Sequence, residues 1–263
     1  MKKKILLIIT ILLVVIDIFL ASLLANKYIH KYNFENQILP IAKKNENVIF
    51  KINKIVLFSS CDAQNKNSSA SNFTIENLYQ YTDMAIFIQN DSNEKNLENT
   101  FKKVSINNIK FNTLPSLGNP SLYFKGLNQF AKSLYSSENI IQDSLDFNIT
   151  SENEANLDTP TLYNNLANPI TLCYVNSNIK SDYTITDTSS PITYDGSLLK
   201  KCNINLDNLK CNLSFDIYIT NNKDEEFKCT VFIDIPLTDN EKSIYNGNIT
   251  LKKDTNFIFY RYK

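Results

Sequence analysis

The sequence predicts an all-β body, mainly an antiparallel β-sandwich, behind one N-terminal transmembrane helix. Three observations carry that expectation. An apolar run of membrane-spanning length opens the chain. Ten or more short strand-like runs follow, punctuated by Asn, Asp and Ser, with no helices alternating between them. Near the C-terminus two consecutive segments alternate apolar and polar residues without a break.

The first element is the apolar run from Ile5 to Ala25, which follows Lys2, Lys3 and Lys4 and is interrupted only by Thr10, Asp17 and Ser22. Its 21 residues make a helix of about 31 Å, the hydrocarbon thickness of a bilayer. Sixteen of them are Ile, Leu, Val or Phe. Each favours insertion by roughly 0.3–0.6 kcal/mol, against a cost of roughly 3 kcal/mol for Asp17. The three lysines orient residues 1–4 to the cytoplasm and the C-terminal body to the extracytoplasmic side of the cell membrane. Cleavage after Ala25 or Ala21 would place Leu23 or Phe19 where a signal peptidase wants a small residue, so residues 5–25 read as an uncleaved signal-anchor. Residues 26–47 are polar, contain Pro40, and read as an irregular stalk.

Strand-like runs then occupy Val48–Phe58, Met84–Gln89, Ser105–Phe111, Ser144–Thr150 and Ile170–Val175. Two short stretches carry helical spacing instead: Leu97, Phe101 and Val104, and Leu127, Phe130, Ala131 and Leu134. In the C-terminal third, Cys211, Leu213, Phe215, Ile217 and Ile219 alternate with polar residues, as do Phe227, Cys229, Val231, Ile233 and Ile235. A hairpin pairing Ile219 with Phe227, Ile217 with Cys229 and Cys211 with Ile235 puts every apolar side chain on one face. In that register Phe215 is core and Asp216 faces solvent, so Asp216→Ser should move stability by no more than about 0.5 kcal/mol. Asp195-Gly196 and Asn246-Gly247 read as two-residue hairpin turns. The acidic, Asn-rich stretch from Glu152 to Thr161 reads as a seam between units at 48–151 and 160–263, with one continuous domain as the alternative. The pattern is immunoglobulin-like in strand count and spacing alone, because the Cys…Trp…Cys hallmark cannot exist without Trp.

Composition excludes much. Beyond the apolar run the formal charge is −2, which offers no basic face for nucleic acid. The only histidine, His30, lies in the stalk, so the body has no imidazole for a nucleophile–base pair or a histidine metal site. Arg261 is the sole arginine, and the four glycines never cluster into a phosphate loop. No cofactor, metal site or catalytic residue is expected. The 38 Asn, with Lys in place of Arg, fit AT-rich coding of the kind found in low-GC Gram-positive bacteria. Cys61, Cys173, Cys202, Cys211 and Cys229 are odd in number and sit in apolar contexts, as reduced, buried thiols do.

The remaining motifs are weak. Ser-x-x-Lys occurs at Ser92/Lys95, Ser177/Lys180 and Ser197/Lys200, without the accompanying Ser-Asp-Asn or Lys-Thr-Gly. Carboxylate pairs at Glu225-Glu226, Asp239/Glu241 and Glu152/Glu154 fall in turns, and Asp91-Ser92-Asn93 lacks the glycine of a calcium loop. One loop stands out, because Pro115, Gly118 and Pro120 precede the aromatic pair Tyr123 and Phe124. A rigid loop displaying two aromatics is a candidate interaction surface, with tucked-in aromatics as the alternative. The expected role is binding, adhesion or envelope structure toward an envelope or protein ligand. A hydrolase of envelope polysaccharide that works with carboxylates is the alternative. The orientation is directly testable: protease added to wall-stripped cells should digest the body and leave a short membrane-embedded stub, and full protection of the C-terminus would reverse the topology.

Overall fold

The computed structural model describes residues 2–44, 48–64, 73–90, 100–127, 139–151, 155–186, 192–236 and 243–263. It divides into two units, Met1–Asn47 and Val48–Lys263.

The first unit is one helix, α1 (Lys2–Lys44), of 43 residues and about 64 Å. It contains a span long and apolar enough to cross a membrane. From Leu12 to Leu24 its large apolar side chains are exposed, as a helix in lipid requires. Tyr28, Tyr32 and Phe34 follow, also exposed, and tyrosine is a residue type that membrane interfaces favour. The irregular stalk is therefore corrected. Residues 26–44 continue the helix, with Lys31 and Glu35 paired one turn apart at 3.7 Å, and it ends four residues after Pro40. Nothing between Asn26 and Pro40 breaks a helix: the segment has no glycine, and polarity alone does not unwind a backbone bonded within itself.

The second unit is mostly β. Its strands are β1 (Phe50–Ala63), β2 (Phe73–Asn90), β3 (Phe101–Thr113), β4 (Asn119–Phe124), β5 (Leu145–Thr150), β6 (Thr161–Tyr163), β7 (Ile170–Ile185), β8 (Cys211–Asn221), β9 (Glu226–Ile235), β10 (Ile249–Ile258) and β11 (Tyr260–Arg261), with one short helix, α2 (Ser197–Lys201). Sheet A has the order β10-β1-β2-β7-β4 and sheet B the order β11-β9-β8-β3-β5-β6. All pairings are antiparallel except β5 with β6, which run parallel on either side of the Glu152–Thr161 stretch. Both sheets draw strands from before and after that stretch, and Val48–Lys263 forms one compact unit.

The inner faces of the two sheets meet in one apolar core. Phe50 of β1 packs edge-on to Phe227 of β9 at 5.2 Å and lies 5.8 Å from Phe101 of β3. Phe111 of β3 meets Tyr174 of β7 at 6.2 Å, and Phe124 of β4 meets Phe147 of β5 at 6.3 Å. At Phe259 the chain leaves sheet A for sheet B: its N–H donates to the Phe50 carbonyl at 3.1 Å, its ring is buried, and β11 then pairs with β9. One edge of each sheet is thus joined by continuous chain.

The hairpin of β8 and β9 has the expected register, with Ile219 opposite Phe227, Ile217 opposite Cys229 and Cys211 opposite Ile235. Its inner residues, Phe215 among them, are buried. Elsewhere the local expectations are corrected. Phe101 and Val104 belong to β3 and not to a helix, because a bulge between Phe101 and Lys103 inserts a residue and stretches the two-residue period to three. Leu97 and most of the second helical stretch lie outside the described residues. Asp195-Gly196 opens α2 instead of a hairpin, the Asp195 carboxylate accepting from Ser197 N–H at 2.8 Å and Ser197 Oγ at 2.5 Å. A Cβ on Gly196 would lie 2.2 Å from the Ile244 carbonyl, so close packing explains this glycine. Asn246-Gly247 ends a single 3₁₀ turn, with Gly247 at φ 115°, that leads into β10 in the other sheet. All five cysteines are free and buried. Burial holds their thiol pKa values above the ordinary range, well above it for Cys61 and Cys173 and at about 12 for Cys229.

Asp216 does point away from the core, yet it is only 6% exposed. Lys228 Nζ reaches its carboxylate at 2.8 Å, Thr230 Oγ1 at 2.5 Å and Asn108 Nδ2 at 2.7 Å. Asn108 arrives there through a second bulge in β3, where its φ is 54°. Burial of the carboxyl opposes its charge, but the three hydrogen bonds outweigh that and hold its pKa below the usual range. With the folded pKa below the unfolded one, this stabilisation is complete above about pH 4 and fades as acid carries the pH through the folded value. Phe215→Asp should unfold the body outright or cost more than the roughly 3–5 kcal/mol of a buried Phe truncation. Asp216→Ser should now cost about 1–3 kcal/mol and flatten the acid limb of the stability curve, as denaturant melts across pH will read.

Candidate functional site

The site lies on the outer face of sheet A. Alternation along β2 sends Leu78, Met84, Ile86 and Ile88 inward and Tyr79, Tyr81, Asp83 and Ala85 outward. In β7, Ile170–Asn176 is buried on both faces. Register lines up two rows across the sheet. One runs Thr250, Phe58, Asp83, Cys173, Tyr123, and the next runs Val56, Ala85, Thr171, beside which Lys125 N–H donates to the Thr171 carbonyl at 3.3 Å. Tyr123, Cys173 and Val175 form a second buried cluster, with Tyr79 and Tyr81 packed against it. Beside this cluster a groove of about 580 Å³ opens over Val56, Phe58, Ala85 and Leu127.

At its floor the Lys125 ammonium contacts Asp83 Oδ2, with 5% of the lysine side chain and 15% of the aspartate side chain exposed. The Thr171 hydroxyl donates to the Lys125 carbonyl. Asp83 Oδ1 is buried and has no hydrogen-bond partner. The neighbouring Cys173 thiol donates to the Tyr174 carbonyl at 3.5 Å and is also hydrogen-bonded to the Asp83 side chain. Burial foremost, and the Asp83 charge next, push the Cys173 pKa well up, which leaves a thiol and not a nucleophilic thiolate. The phenols of Tyr81 and Tyr123 are likewise raised by burial and stay protonated at neutral pH. The groove therefore offers apolar walls, neutral donors and one closed ion pair.

The loop singled out in the sequence flanks this site. Pro115 and Gly118 lie before β4, and Pro120 stands in β4 at the edge of sheet A, where a missing N–H costs no interior ladder bond. Gly118 adopts φ 89°, and a Cβ there would fall 2.2 Å from Asn176 Oδ1. Asn176 Nδ2 donates to the Leu117 carbonyl at 2.8 Å, and Leu117 N–H to the Asn208 carbonyl at 3.1 Å. Tyr123 and Phe124 are both buried, Tyr123 in the outer cluster and Phe124 in the core. Asp83, Lys125 and Thr171 escaped the sequence reading because they stand 42 and 46 residues apart. The signal was β2 itself, whose outward positions are aromatic or apolar around one acid, as on a face that is covered.

The other candidates scatter. Ser177 Oγ donates to the Asn119 carbonyl at 3.4 Å, and Lys200, on α2 with Ser197, is exposed. Glu225 pairs with Arg261 at 2.5 Å. Ser92/Lys95, Asp91–Asn93, Glu152/Glu154 and Asp239/Glu241 lie outside the described residues. One further cleft carries two acids, Asp207 and Asp234. Lys210 pairs with Asp207 at 2.7 Å, and Asn212 donates to Asp234 at 2.6 Å. Among the described residues no group of three or more His, Cys, Asp or Glu could hold a metal.

A buried ion pair is costly to break and cheap to replace as a unit. Lys125→Met should lose about 3–5 kcal/mol by stranding the Asp83 carboxylate, and adding Asp83→Leu should restore most of it; melts of the detergent-solubilised chain measure both.

Compared with known proteins, the chain matches no family model, no curated protein and no solved structure.

Proposed function

We propose that the protein is a single-pass membrane protein whose extracytoplasmic β body binds a ligand of the cell envelope in the outer groove of sheet A. The observation that carries this reading is the groove's construction: apolar walls over a floor whose one acid is already paired with a buried lysine. Such a surface recognises and holds; it has no free base, no thiolate and no second acid among its described residues. Helix α1 supports the anchored half of the reading, and Lys2–Lys4 support its orientation.

The cleft of Asp207 and Asp234 keeps a polysaccharide hydrolase as the second reading. Glycoside hydrolysis needs one carboxyl held protonated by apolar surroundings. Asp207 is instead mostly exposed and paired with Lys210, and Asp234 accepts from Asn212. A benzoyl-phenylalanine at position 58, illuminated in intact cells, should form a ligand adduct that Ala85→Phe abolishes by filling the groove, while the same probe at position 234 should form none. Release of sugar from envelope polysaccharide that fails in Asp207→Asn and in Asp234→Asn would establish the hydrolase instead.

A further inference from the structure

We propose that the open edge of β9 pairs with the same edge of a second copy of this chain, antiparallel about a two-fold axis beside Phe232. The inference is independent of the groove and starts from main-chain groups with nothing beside them. β9 is bonded to β8 from Glu226 to Ile235, but on its other side β11 covers only Phe227 and Lys228. Glu226 shows which way the main chain points on that side. Its N–H donates to the Lys263 carbonyl at 3.2 Å and its carbonyl accepts from Tyr262 N–H at 3.0 Å, both away from β8. In a strand without a bulge that direction returns at every second residue, so Thr230, Phe232 and Asp234 turn their N–H and C=O groups the same way. Among the described residues no strand pairs with them there. The other sheet edges are defended. β10 sets Lys252, Lys253 and Asp254 side by side and exposed. β4 has six residues, includes Pro120 and is bridged to Ile140 through Tyr123, and β6 has only three residues. Short length, lysine and proline keep an edge from pairing. The open part of β9 carries one charge, Asp234, and leaves the Phe232 side chain 57% exposed, which is how an edge that accepts a strand is built.

Self-complementarity selects the occupant. The free window runs from Cys229, beside β11, to Ile235, before the bend at Pro236, and Phe232 is its midpoint. Antiparallel pairing centred there sets Phe232 opposite its own copy, Thr230 opposite Asp234 and Cys229 opposite Ile235, in both directions. The rows then match on both faces. Inside, Val231 meets Ile233 and Cys229 meets Ile235, apolar against apolar. Outside, the two Phe232 rings lie side by side, each Asp234 faces a neutral Thr230, and no like charges stand opposite each other. A centre one residue earlier drives the partner strand into β11, and one residue later sets Pro236, which has no N–H, opposite Thr230. A cleft of about 380 Å³ beside Cys229 and Thr230, walled by Phe257, Ile258 and Tyr260, leaves the β11 end of the window accessible. The contact is isologous and closes on itself, so it gives a dimer and not a fibre. A single strand edge falls short of the roughly 1,200 Å² that marks stable complexes, so the dimer belongs to chains concentrated in one bilayer.

The test is disulfide trapping of the full chain in isolated cell membranes by copper-catalysed oxidation, read as dimer on non-reducing gels. Phe232→Cys should link to its own copy, because facing Cα atoms of a hydrogen-bonded antiparallel pair lie about 5.5 Å apart, within disulfide reach. Thr230→Cys and Asp234→Cys should each fail alone, their like positions standing about 13 Å apart along the strands, and should link when co-expressed. The unsubstituted chain, its cysteines buried, should give no dimer. Adding Phe232→Lys to both co-expressed chains should abolish the mixed link by setting like charges opposite each other, and Phe232→Lys in one with Phe232→Glu in the other should restore it. Both substitutions spare the fold because the side chain is mostly exposed. Linkage of Phe232→Cys to a different protein would name another occupant and overturn the proposal. Three other results would overturn it as well: no linkage at any position, self-linking of Thr230→Cys or Asp234→Cys as strong as that of Phe232→Cys, and a mixed link that Phe232→Lys leaves intact or that the Lys and Glu pair fails to restore.

Discussion

The ring of Phe50 is wholly buried where the two sheets and the end of the chain converge. It belongs to sheet A, touches Phe227 and Phe101 of sheet B, and lies 6.4 Å from Phe259, whose N–H bonds to its carbonyl. One aromatic cluster thereby fixes how β1 enters the body, how the two sheets stack, and where the last strand crosses between them. Aromatic rings suit that task because each buries a large area through only two side-chain torsions and packs edge-to-face with its neighbours. The alternations of β1, β2, β7, β8 and β9 decide which residues face this core, but they act only once the sheets are held together.

The outer face of sheet A follows from the same register with the sign reversed. Each inward residue of β2 commits its neighbour to the outside, and those neighbours include Tyr81, Asp83 and Ala85. A sheet with one buried face would carry polar residues there. This one assembles a second cluster around Cys173 and also carries a buried lysine paired with Asp83. Burying an ion pair in this way seldom gains stability over apolar residues of equal size.

The legible parts of the sequence were those where pairing is regular. The β8–β9 register emerged from alternation alone because neither strand has a bulge, so a period of two holds along the whole hairpin. Strand β3 misled because its bulges broke that period, and one of them delivered Asn108 to Asp216 and sealed a carboxylate expected in water. Residues 26–44 misled because polar composition was taken for irregular backbone, whereas a helix satisfies its own hydrogen bonds whatever its surface. The groove was hardest to read. Its parts come from β1, β2, β7, β10 and the segment after β4, and lone Asp and Lys residues carry no local signature of being partners.

The placement of β1 also decides how the body withstands force. Helix α1 and β1 adjoin in the sequence, and β1 is an interior strand, bonded along its length to β2 on one side and β10 on the other. It also carries Val56 and Phe58 of the groove wall. If the body is pulled against its N-terminal helix, tension enters it along β1. It therefore loads two ladders of hydrogen bonds in shear, many at once, instead of unzipping them one by one. An edge strand in the same position would peel. Resistance to pulling is in this way a property of strand order, acquired before any residue of the groove is chosen.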